Sequence, residues 1–308
     1  MPHVRKTEYK HPGCEYTLKY VEVIQRHHKR TPYASNTFFK EDVQWDCTRE
    51  GPYAYARADD FDTTPVSWQA QTGTLNPFEK AVGPGFVNST CQFPAITSQG
   101  LDDARTHGAD LYGVYHTLLG FLPDAADTEA YAFRVTNNVI TSQTLSGFVR
   151  GLFPDAPGYA AWIQRGAFDS LEPAFSCPLQ GTVNSAYEGS NPAWTEHLTA
   201  SAALRARFNA VSDSCQTPLT PSPYDNLSAK QCHGKALPCS VNNTALCVSQ
   251  TDADAIYRLG NYEYAYRWRG AANSTLYSAL KMGAWFRELV GHMDGAIAGS
   301  NKLKYLHK

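Results

Sequence analysis

Hydrophobic and polar side chains alternate in two short stretches of this chain, residues 20–24 and residues 302–308. A period of two predicts half-buried strands, and the β-branched residues of the first stretch favour the same structure. The first stretch runs into a basic segment that begins at Arg26, and Pro32 then stops any regular element. The pattern therefore predicts a strand near each end of the chain, the first of which leads into a cluster of cations.

Three other segments carry apolar side chains at helical spacing, which predicts helices. The first begins at Thr97 or Ser98, because either hydroxyl can cap a helix N-terminus. Its apolar positions are Leu101, Ala104, Gly108, Leu111, Tyr115 and Leu118. The second covers residues 144–154. The apolar positions of the third, near the end of the chain, are Leu289, Met293 and Ile297.

Strands alternate with helices before about residue 141 and again in the last part of the chain. This order predicts an α/β fold with a mostly parallel central sheet and helices on both faces. Ligands of such sheets bind at the carboxyl ends of the strands. The basic segment that follows residue 24 is therefore the first place to look for chemistry.

That segment places His27 between Arg26 and Arg30. A guanidinium is a planar fork of donors that matches phosphate oxygens, and an imidazole can attack phosphorus. Two neighbouring cations also favour the neutral, nucleophilic form of the histidine. Short basic runs are usually solvated surface turns, but the strand before this one favours a phosphate site.

The pattern Arg26-His27-x-x-Arg30-x-Pro32 resembles the Arg-His-Gly-x-Arg-x-Pro signature of the histidine acid phosphatases. This family is a branch of the phosphoglycerate-mutase-like superfamily and includes fungal phytases. The resemblance implies that His27 is the nucleophile and that Arg26 and Arg30 hold the phosphate. His28 replaces the family's usual glycine, which puts the conformation of the loop in question.

Two later segments extend the resemblance. Residues 94–100 resemble the family's Leu-Thr-x-x-Gly segment, which opens a long helix, and residues 133–137 resemble the end of its Arg-Ser-Thr-Asp strand. The family's third phosphate-binding arginine falls on Ile140, and an isoleucine cannot bind phosphate. Either Arg134 supplies that charge from a shifted position, or Arg134 is structural and the site has one cation fewer.

A second departure concerns the general acid, which in the family is the aspartate of a His-Asp pair at the end of a late strand. The sequence contains no His-Asp dipeptide. His292 and Asp294 are two residues apart on a predicted helix, so they diverge by about 200° and are expected to be solvated. Because the strand predicted at residues 302–308 is followed by no such pair, we expect that the sequence is cut short before its general acid.

The resemblance covers residues 14–160 well and the remainder loosely. It implies an α/β core whose first part is residues 14–152 and whose second, incomplete part is residues 251–308. Residues 153–250 lack strand alternation and are rich in Pro, Ser, Asn and Cys. In the family an insertion here forms a helical cap that selects the substrate, and residues 200–211 are helical enough to belong to one.

The composition excludes some classes of binding partner. A formal net charge of −2 argues against nucleic acid or an anionic membrane as the partner. No apolar stretch approaches the roughly 18 residues of a membrane span, and no apolar segment follows the basic N-terminus as in a signal peptide. The sequence thus predicts a small-molecule phosphomonoester as the partner, with no metal or other cofactor.

The cysteines nevertheless indicate an extracellular protein. They form an even set whose spacing suits long-range disulfides better than a zinc site: Cys14, Cys47, Cys91, Cys177, Cys215, Cys232, Cys239 and Cys247. Chance would give roughly one or two glycosylation acceptors in this length, whereas four are present, at Asn88, Asn226, Asn242 and Asn273. We therefore expect a secreted glycoprotein rather than a cytosolic one with buried thiols. The connectivity of the disulfides does not follow from the sequence.

Two functional classes remain. The first is an acid phosphatase that hydrolyses phosphomonoesters through a phosphohistidine on His27. The second is a pseudophosphatase or fragment that keeps the phosphate cradle but not the chemistry. A mutase of the wider superfamily is disfavoured, because Lys29-Arg30-Thr31-Pro32 follows the acid phosphatase pattern. Phytate, sugar phosphates, lipid phosphates and nonspecific esters all remain candidate substrates.

Overall fold

The structure, a computed structural model, describes residues 4–33, 38–41, 43–48, 52–53, 66–67, 75, 91, 94–124, 129–156, 159–212, 222–300 and 302–308. The chain divides into two compact units. The first unit consists of Met1–His28, Leu101–Gly189 and Arg267–Lys308, and the second of Lys29–Gly100 and Ser190–Tyr266. This division differs from the boundaries expected from the sequence, since residues 29–100 belong to the second unit and residues 153–189 to the first.

The described strands, in chain order, are β1 (Val21–Val23), β2 (Pro52–Tyr53), β3 (Val66–Ser67), β4 (Tyr131–Val135), β5 (Trp162–Ile163) and β6 (Tyr305–His307). The described α-helices are α1 (Ser98–Tyr112), α2 (Val139–Leu152), α3 (Pro178–Ser185), α4 (Pro192–Ala200), α5 (Ala202–Ser212), α6 (Ser222–Cys232), α7 (Gln250–Ala265) and α8 (Ser274–Ala298). A π-helical turn, Gly113–Leu118, continues α1, a second one, Tyr266–Gly270, follows α7, and Gly166–Phe168 forms a 3₁₀ turn.

The first unit is built on a four-stranded sheet in the order β1-β6-β4-β5. All three strand pairs are parallel, and Val21 and Tyr131 both stand opposite Tyr305. Parallel neighbours require crossover connections, and the helices between the strands provide them. The α/β fold class with a parallel sheet is therefore confirmed.

One face of this sheet packs on α1 and α2. Every second residue of the strands points to that side, where an apolar cluster is buried: Val21, Phe133, Val135, Tyr305, Ala104, Leu145, Phe148 and Leu152, among others. The two helices approach closely at Gly108 and Gly151, where a Cβ atom would run into backbone carbonyl oxygens of the facing helix. The intervening residues Glu22 and Arg134 point to the other face, where they contact α8.

The second unit is mostly helical. It contains α4 to α7 and the antiparallel pair β2 and β3. Its core joins residues from across the unit: Phe38, Phe39, Phe208, Val211, Leu227, Val248, Ala253 and Ile256. A capping box at Ser249 and Asp252 starts α7, as expected for a serine followed three residues later by an acidic side chain.

Most of the elements predicted from periodicity are present. β1 and β6 lie within the two alternating stretches, and α1 starts after Thr97, whose Oγ1 accepts the Gly100 N–H at 3.2 Å. The helix predicted at residues 144–154 starts five residues earlier, at Val139, because the Asn138 side chain caps it by accepting the Ile140 N–H. The helix expected at residues 200–211 is α5.

Of the seven cysteines that the structure describes, four form disulfides, Cys47–Cys91 across 44 residues and Cys239–Cys247 across 8. Cys14, Cys177 and Cys232 are free thiols, and Cys215 lies outside the described residues. The two bonds are compatible with an extracellular protein. Among the glycosylation acceptors, Asn242 and Asn273 are exposed and Asn226 is buried in α6, while Asn88 lies outside the described residues. In the described part of the chain, no helix has the length and apolar character needed to cross a bilayer.

Candidate active site

His27 lies four residues beyond the carboxyl end of β1, in the first unit. Its Nδ1 is 2.9 Å from the carbonyl oxygen of His28. A carbonyl oxygen only accepts, so this contact requires the proton of the neutral ring to lie on Nδ1. The other ring nitrogen, Nε2, then carries the lone pair that a nucleophile needs.

Arg26 lies beside that lone pair. Its Nη2 is 3.5 Å from His27 Nε2, and a guanidinium can only donate. The arginine is exposed and the histidine half-buried. An anion drawn to Arg26 would therefore arrive next to Nε2 of His27.

His28, which occupies the family's glycine position, turns into the protein. It is 8% exposed, its backbone N–H donates to Thr144 Oγ1 at 3.3 Å, and its ring meets His107 edge-on. Among the described non-glycine residues only Asn273 has a positive φ. The backbone at position 28 therefore does not need the conformational freedom of glycine, and the departure from the family's motif leaves the loop unstrained there.

A third histidine lies on the inner side of His28 and His107. His307, on β6, stacks on Phe148 with ring centroids 3.9 Å apart and lies 6.5 Å from His107. Burial lowers the pKa of His307 to about 3, and the neighbouring His107 and His28 add to the effect. The buried imidazole is therefore neutral at all physiological pH values, and no signal in the sequence indicated it.

Arg30 belongs to the second unit, because the division of the chain falls between His28 and Lys29. Its Nη2 donates to Asp225 Oδ1 at 2.8 Å, and its guanidinium lies over the ring of Tyr33. Asp225 also accepts the Tyr33 N–H at 3.1 Å. Both side chains of the ion pair are about nine-tenths buried, so Asp225 fixes the direction of Arg30.

Arg134, on β4, is held on the sheet face that α8 covers. Its Nη1 donates to Glu288 at 2.7 Å, and its Nη2 is within 3.1 Å of oxygens of Gln164, Asp169 and Ser170. The side chain is 9% exposed. Burial raises the pKa of Glu288, but the hydrogen bonds from Arg134, Ser170 and Gln164 outweigh it and hold that pKa below its usual value.

Ile140, at the position of the family's third arginine, is 1% exposed in α2. Its side chain is part of the interior and does not face a solvent-filled site. Of the residues predicted for the site, the structure places Arg26 and His27 side by side in the first unit and surrounds Arg134 with carboxylate, amide and hydroxyl oxygens. Arg30 is described within the second unit.

The histidine and aspartate near the end of α8 behave differently from each other. Asp294 is exposed, as expected, but the expectation for His292 is wrong, because its Nδ1 lies 3.1 Å from Glu22 Oε2 on β1. Glu22 also accepts the Tyr20 hydroxyl at 2.7 Å and pairs with Lys308 at 2.9 Å. Burial raises the pKa of Glu22, but Tyr20 and Lys308 outweigh it and the pKa is lowered.

The described residues contain no group of three His, Cys, Asp or Glu side chains that could hold a metal ion. What the first unit presents at the end of β1 is a histidine whose Nδ1 faces a carbonyl oxygen, beside an exposed guanidinium. That arrangement can bind an anion and attack an electrophile within it.

No protein-family model matches this chain. In a search of curated proteins it is 22% identical, over 303 residues, to counting factor 60 of Dictyostelium discoideum, a match that covers 94% of this chain and 68% of that protein. At this identity the match describes a likeness along nearly the whole chain.

Solved phytase structures share the fold. The phytase of Klebsiella sp. ASR1 matches with a TM-score of 0.53 at 16% identity, over 94% of this chain and 69% of that one. The phytase of Hafnia alvei in complex with tartrate matches with a TM-score of 0.54 at 15% identity, over 96% and 73%. The phytase of Citrobacter braakii gives 0.52 at 12%, over 95% and 72%. The fold of this chain is therefore similar to that of these phytases.

Proposed function

We propose that this protein is a phosphomonoester hydrolase that works through a phosphohistidine on His27. The observation that carries the proposal is the pair formed by Arg26 and His27. The His28 carbonyl fixes the tautomer, so that Nε2 keeps its lone pair, and the guanidinium lies 3.5 Å from that atom. The similarity of the fold to phytases supports a phosphatase-like hydrolase.

The proposed reaction has two steps. In the first, His27 Nε2 attacks phosphorus, the bond between phosphorus and the ester oxygen breaks, and the departing oxygen takes a proton from solvent. In the second, water attacks the phosphohistidine, the N–P bond breaks, and inorganic phosphate and the neutral imidazole are regenerated. The His28 carbonyl stabilises the ring while Nε2 is phosphorylated, because the Nδ1 proton still has its acceptor.

In this proposal Arg26 and Arg30 are the phosphate-binding cations. Asp225 pre-positions Arg30, which lowers the conformational entropy lost when it binds an anion. The sequence left two roles open for Arg134, phosphate binding and a structural role. We assign it the structural role, because its described contacts are carboxylate, amide and hydroxyl oxygens of its own unit. Its proposed task is to hold β4 to α8 rather than to touch substrate.

The substrate proposed is a small-molecule phosphomonoester, with phytate the first to test, because the structural neighbours are phytases. The leaving group sets a further expectation. For an assay of these 308 residues alone, which contain no His-Asp pair, the absence of a general acid should lower the rate about 10²- to 10⁴-fold. Activated esters such as p-nitrophenyl phosphate, whose leaving group needs no proton, should therefore be turned over much better than alkyl phosphates.

The second candidate is a phosphate-binding protein without turnover. It is favoured by the ion pairs that already engage two of the expected cations, Arg30 with Asp225 and Arg134 with Glu288. Such a protein would bind phosphate or vanadate at Arg26 and Arg30 but would form no covalent intermediate. The two candidates differ in whether phosphorus is ever bonded to His27.

The first prediction tests that difference. Replacing His27 with alanine should abolish hydrolysis of p-nitrophenyl phosphate and leave the circular dichroism spectrum unchanged. His11→Ala, which removes an exposed histidine from the same unit, is the matched control and should keep the parent rate. Mass spectrometry after an alkaline quench, which preserves the N–P bond, should find the added phosphoryl group on the peptide that contains His27.

Three outcomes decide between the candidates. Turnover by the parent that is lost in His27→Ala supports the phosphatase. Vanadate binding without turnover or phosphohistidine, with affinity unchanged in His27→Ala and weakened in Arg26→Ala, supports the binding protein. A His27→Ala variant that keeps more than a small fraction of the parent rate contradicts the assignment of His27 as the nucleophile.

We also propose that the protein is secreted. The Cys47–Cys91 and Cys239–Cys247 disulfides and the exposed acceptors Asn242 and Asn273 support this. Alkylation of the natural product without reduction, followed by mass spectrometry, should leave those four cysteines unmodified and find glycans on both asparagines. Eight alkylated thiols and no glycan would contradict an extracellular location.

A further inference from the structure

The second unit contains a cavity of about 390 Å³, which residues 44–46, 97, 99, 233 and 235 line. This volume lies toward the lower end of those of small-molecule sites. The function proposed for His27 uses none of these residues. The side chains of the cavity indicate which class of ligand it would take.

One wall of the cavity is rigid. Trp45 is 4% exposed and packs in a small core with Cys47, Cys91 and Ala229. The disulfide between Cys47 and Cys91 ties this core together. A wall that is ordered before a ligand arrives lowers the entropy lost on binding.

The turn that follows α6 brings two polar side chains to this wall. Gly234 forms the turn with a φ of 67°, which glycine adopts without strain, and the Lys235 N–H donates to the Lys230 carbonyl oxygen at 2.9 Å. The ring of His233 meets that of Trp45 edge-on, with centroids 5.0 Å apart, and Lys235 Nζ lies 5.3 Å from the Trp45 centroid. Trp45 therefore holds both side chains at the cavity.

His233 is part of the wall rather than a group that binds a ligand. Its Nδ1 is 2.6 Å from the Ala229 carbonyl oxygen, and its Nε2 is 2.7 Å from Thr97 Oγ1. Thr97 Oγ1 also accepts the Gly100 N–H at 3.2 Å. Since both ring nitrogens of His233 have partners within the protein, the fixed charges that line the cavity are those of Lys235 and Asp46.

The other lining side chains offer both donors and acceptors. The Lys235 ammonium carries three donors. Asp46 Oδ1 accepts the N–H and the hydroxyl of Thr48 at 2.9 and 2.7 Å, which fixes the carboxylate, and a carboxylate can accept about four hydrogen bonds in all. Gln44 and Gln99 are exposed amides, each of which has donors and an acceptor. The charges of Lys235 and Asp46 cancel.

We infer that this cavity binds a neutral polyhydroxylated small molecule, such as a sugar or a sugar alcohol. A hydroxyl group both donates and accepts, so one ligand can donate to Asp46 and accept from Lys235. An anion would meet the carboxylate of Asp46, and a cation would meet the ammonium of Lys235. An apolar ligand would remove these polar groups from water without replacing their hydrogen bonds. The site does not depend on phosphorylation of His27.

The test is titration calorimetry of the full 308-residue chain with three probes. Sorbitol, gluconate and glucamine share the same chain of hydroxyl groups and differ only at one end, where they are neutral, anionic and cationic. At about pH 8 histidine side chains are usually neutral and an alkylammonium is charged. We expect the parent to bind sorbitol about tenfold or more tightly than either charged probe, because each charged probe meets a like charge in the cavity.

Two variants should shift that preference in opposite directions. Asp46→Asn removes the negative charge but keeps an oxygen for Thr48, and it should weaken sorbitol about tenfold and bind gluconate best. Lys235→Met removes the positive charge but keeps an apolar stem beside Trp45, and it should weaken sorbitol by a similar factor and bind glucamine best.

The matched controls change the same residue types elsewhere in the second unit. Asp254→Asn replaces an exposed aspartate that accepts the Gln250 side chain at 2.7 Å, and Lys40→Met replaces an exposed lysine. Neither residue lines the cavity. Both controls should rank the three probes as the parent does.

Several results overturn the inference. One is a parent that binds no sorbitol up to the solubility limit, and another is a parent that binds gluconate or glucamine more tightly than sorbitol. These two results need no variant, so they count even if a variant fails to fold. Sorbitol affinity that Asp46→Asn and Lys235→Met leave unchanged, or that the controls lower equally, would place the binding site outside this cavity.

Discussion

The two faces of the four-stranded sheet are packed by different chemistry. Toward α1 and α2 the strands present aliphatic and aromatic side chains, among them Val21, Phe133 and Tyr305, which are at most 8% exposed. Toward α8 the same strands present Glu22 and Arg134, which pair with ionic partners across the interface. Since side chains of a strand alternate between the two sides, one residue packs in the apolar core while the next forms an ion pair on the other face.

The two faces differ in what they contribute to the fold, stability on one side and the position of a helix on the other. Apolar burial is nondirectional and grows with area, so the α1 and α2 face supplies stability without fixing a single geometry. Buried ion pairs repay their desolvation only when the geometry is right. The contacts of Arg134 with Glu288 and of Glu22 with His292 should therefore set the position of α8 more than they stabilise the fold.

The largest expected effect comes from emptying the apolar face. Phe148 is fully buried between α1 and β6, where its ring stacks on His307. Phe148→Ala should lower the free energy of unfolding by about 3 to 5 kcal/mol, because a cavity adds to the lost transfer energy. Denaturant unfolding of the purified variant measures it. An effect below about 1 kcal/mol would show that this face is not the main source of stability.

Removing one charge from the other face should have the next largest effect. Lys308 and Glu22 have side chains that are 1 and 3% exposed and lie 2.9 Å apart. Lys308→Met should cost about 3 kcal/mol, the low end for breaking a buried pair, because Tyr20 and His292 remain beside Glu22. The same unfolding experiment measures this cost.

The matched control for that prediction replaces both partners. In Glu22→Leu combined with Lys308→Met no unpaired charge is left, so most of the lost stability should return. No such recovery is possible for Phe148, since its loss leaves a cavity and not an unpaired charge. If the double variant is as unstable as Lys308→Met alone, the pair itself stabilises the sheet and the two faces do not differ as proposed.

The parts of the fold set by local periodicity could be predicted from the sequence. β1, β6 and the start of α1 were found in this way, because alternation and hydroxyl caps are written in neighbouring residues. β5 was missed, since Trp162 and Ile163 form a two-residue edge strand, both exposed, with no alternation. The boundaries of the two units depend on contacts between segments far apart in the chain, which no local pattern shows.

In the candidate site, too, contacts between neighbouring residues could be predicted from the sequence and contacts between distant residues could not. Arg26 and His27 are adjacent in sequence, so a short motif was enough to predict that they lie side by side. Asp225 is 195 residues from Arg30 and Glu288 is 154 residues from Arg134, and no local pattern shows such pairings. His292 was misjudged because its partner, Glu22, lies on a strand 270 residues away.

The smallest expected effect is a dependence of stability on pH that differs between the two faces of the sheet. The pKa of His307 falls from 6.5 to about 3 on folding. Between these pH values the imidazole is therefore protonated in the unfolded chain and neutral in the folded chain. Stability is therefore complete above pH 6.5 and declines as the pH falls, by about 1.4 kcal/mol per unit. The pKa values of Glu22 and Glu288 are lowered from 4.5, so the charged face loses stability only below about pH 4.5.

Unfolding measured between pH 6.5 and 4.5 thus isolates the apolar face. Relative to its own value at pH 6.5, the parent should lose about 2 to 3 kcal/mol more than His307→Leu by pH 4.5, since the variant has no buried imidazole to protonate. Glu288→Gln should follow the parent over this range and differ only at lower pH. His11→Ala, which removes an exposed histidine, should also follow the parent. Equal slopes in the parent and His307→Leu would mean that the buried histidine is not what makes the apolar face sensitive to acid.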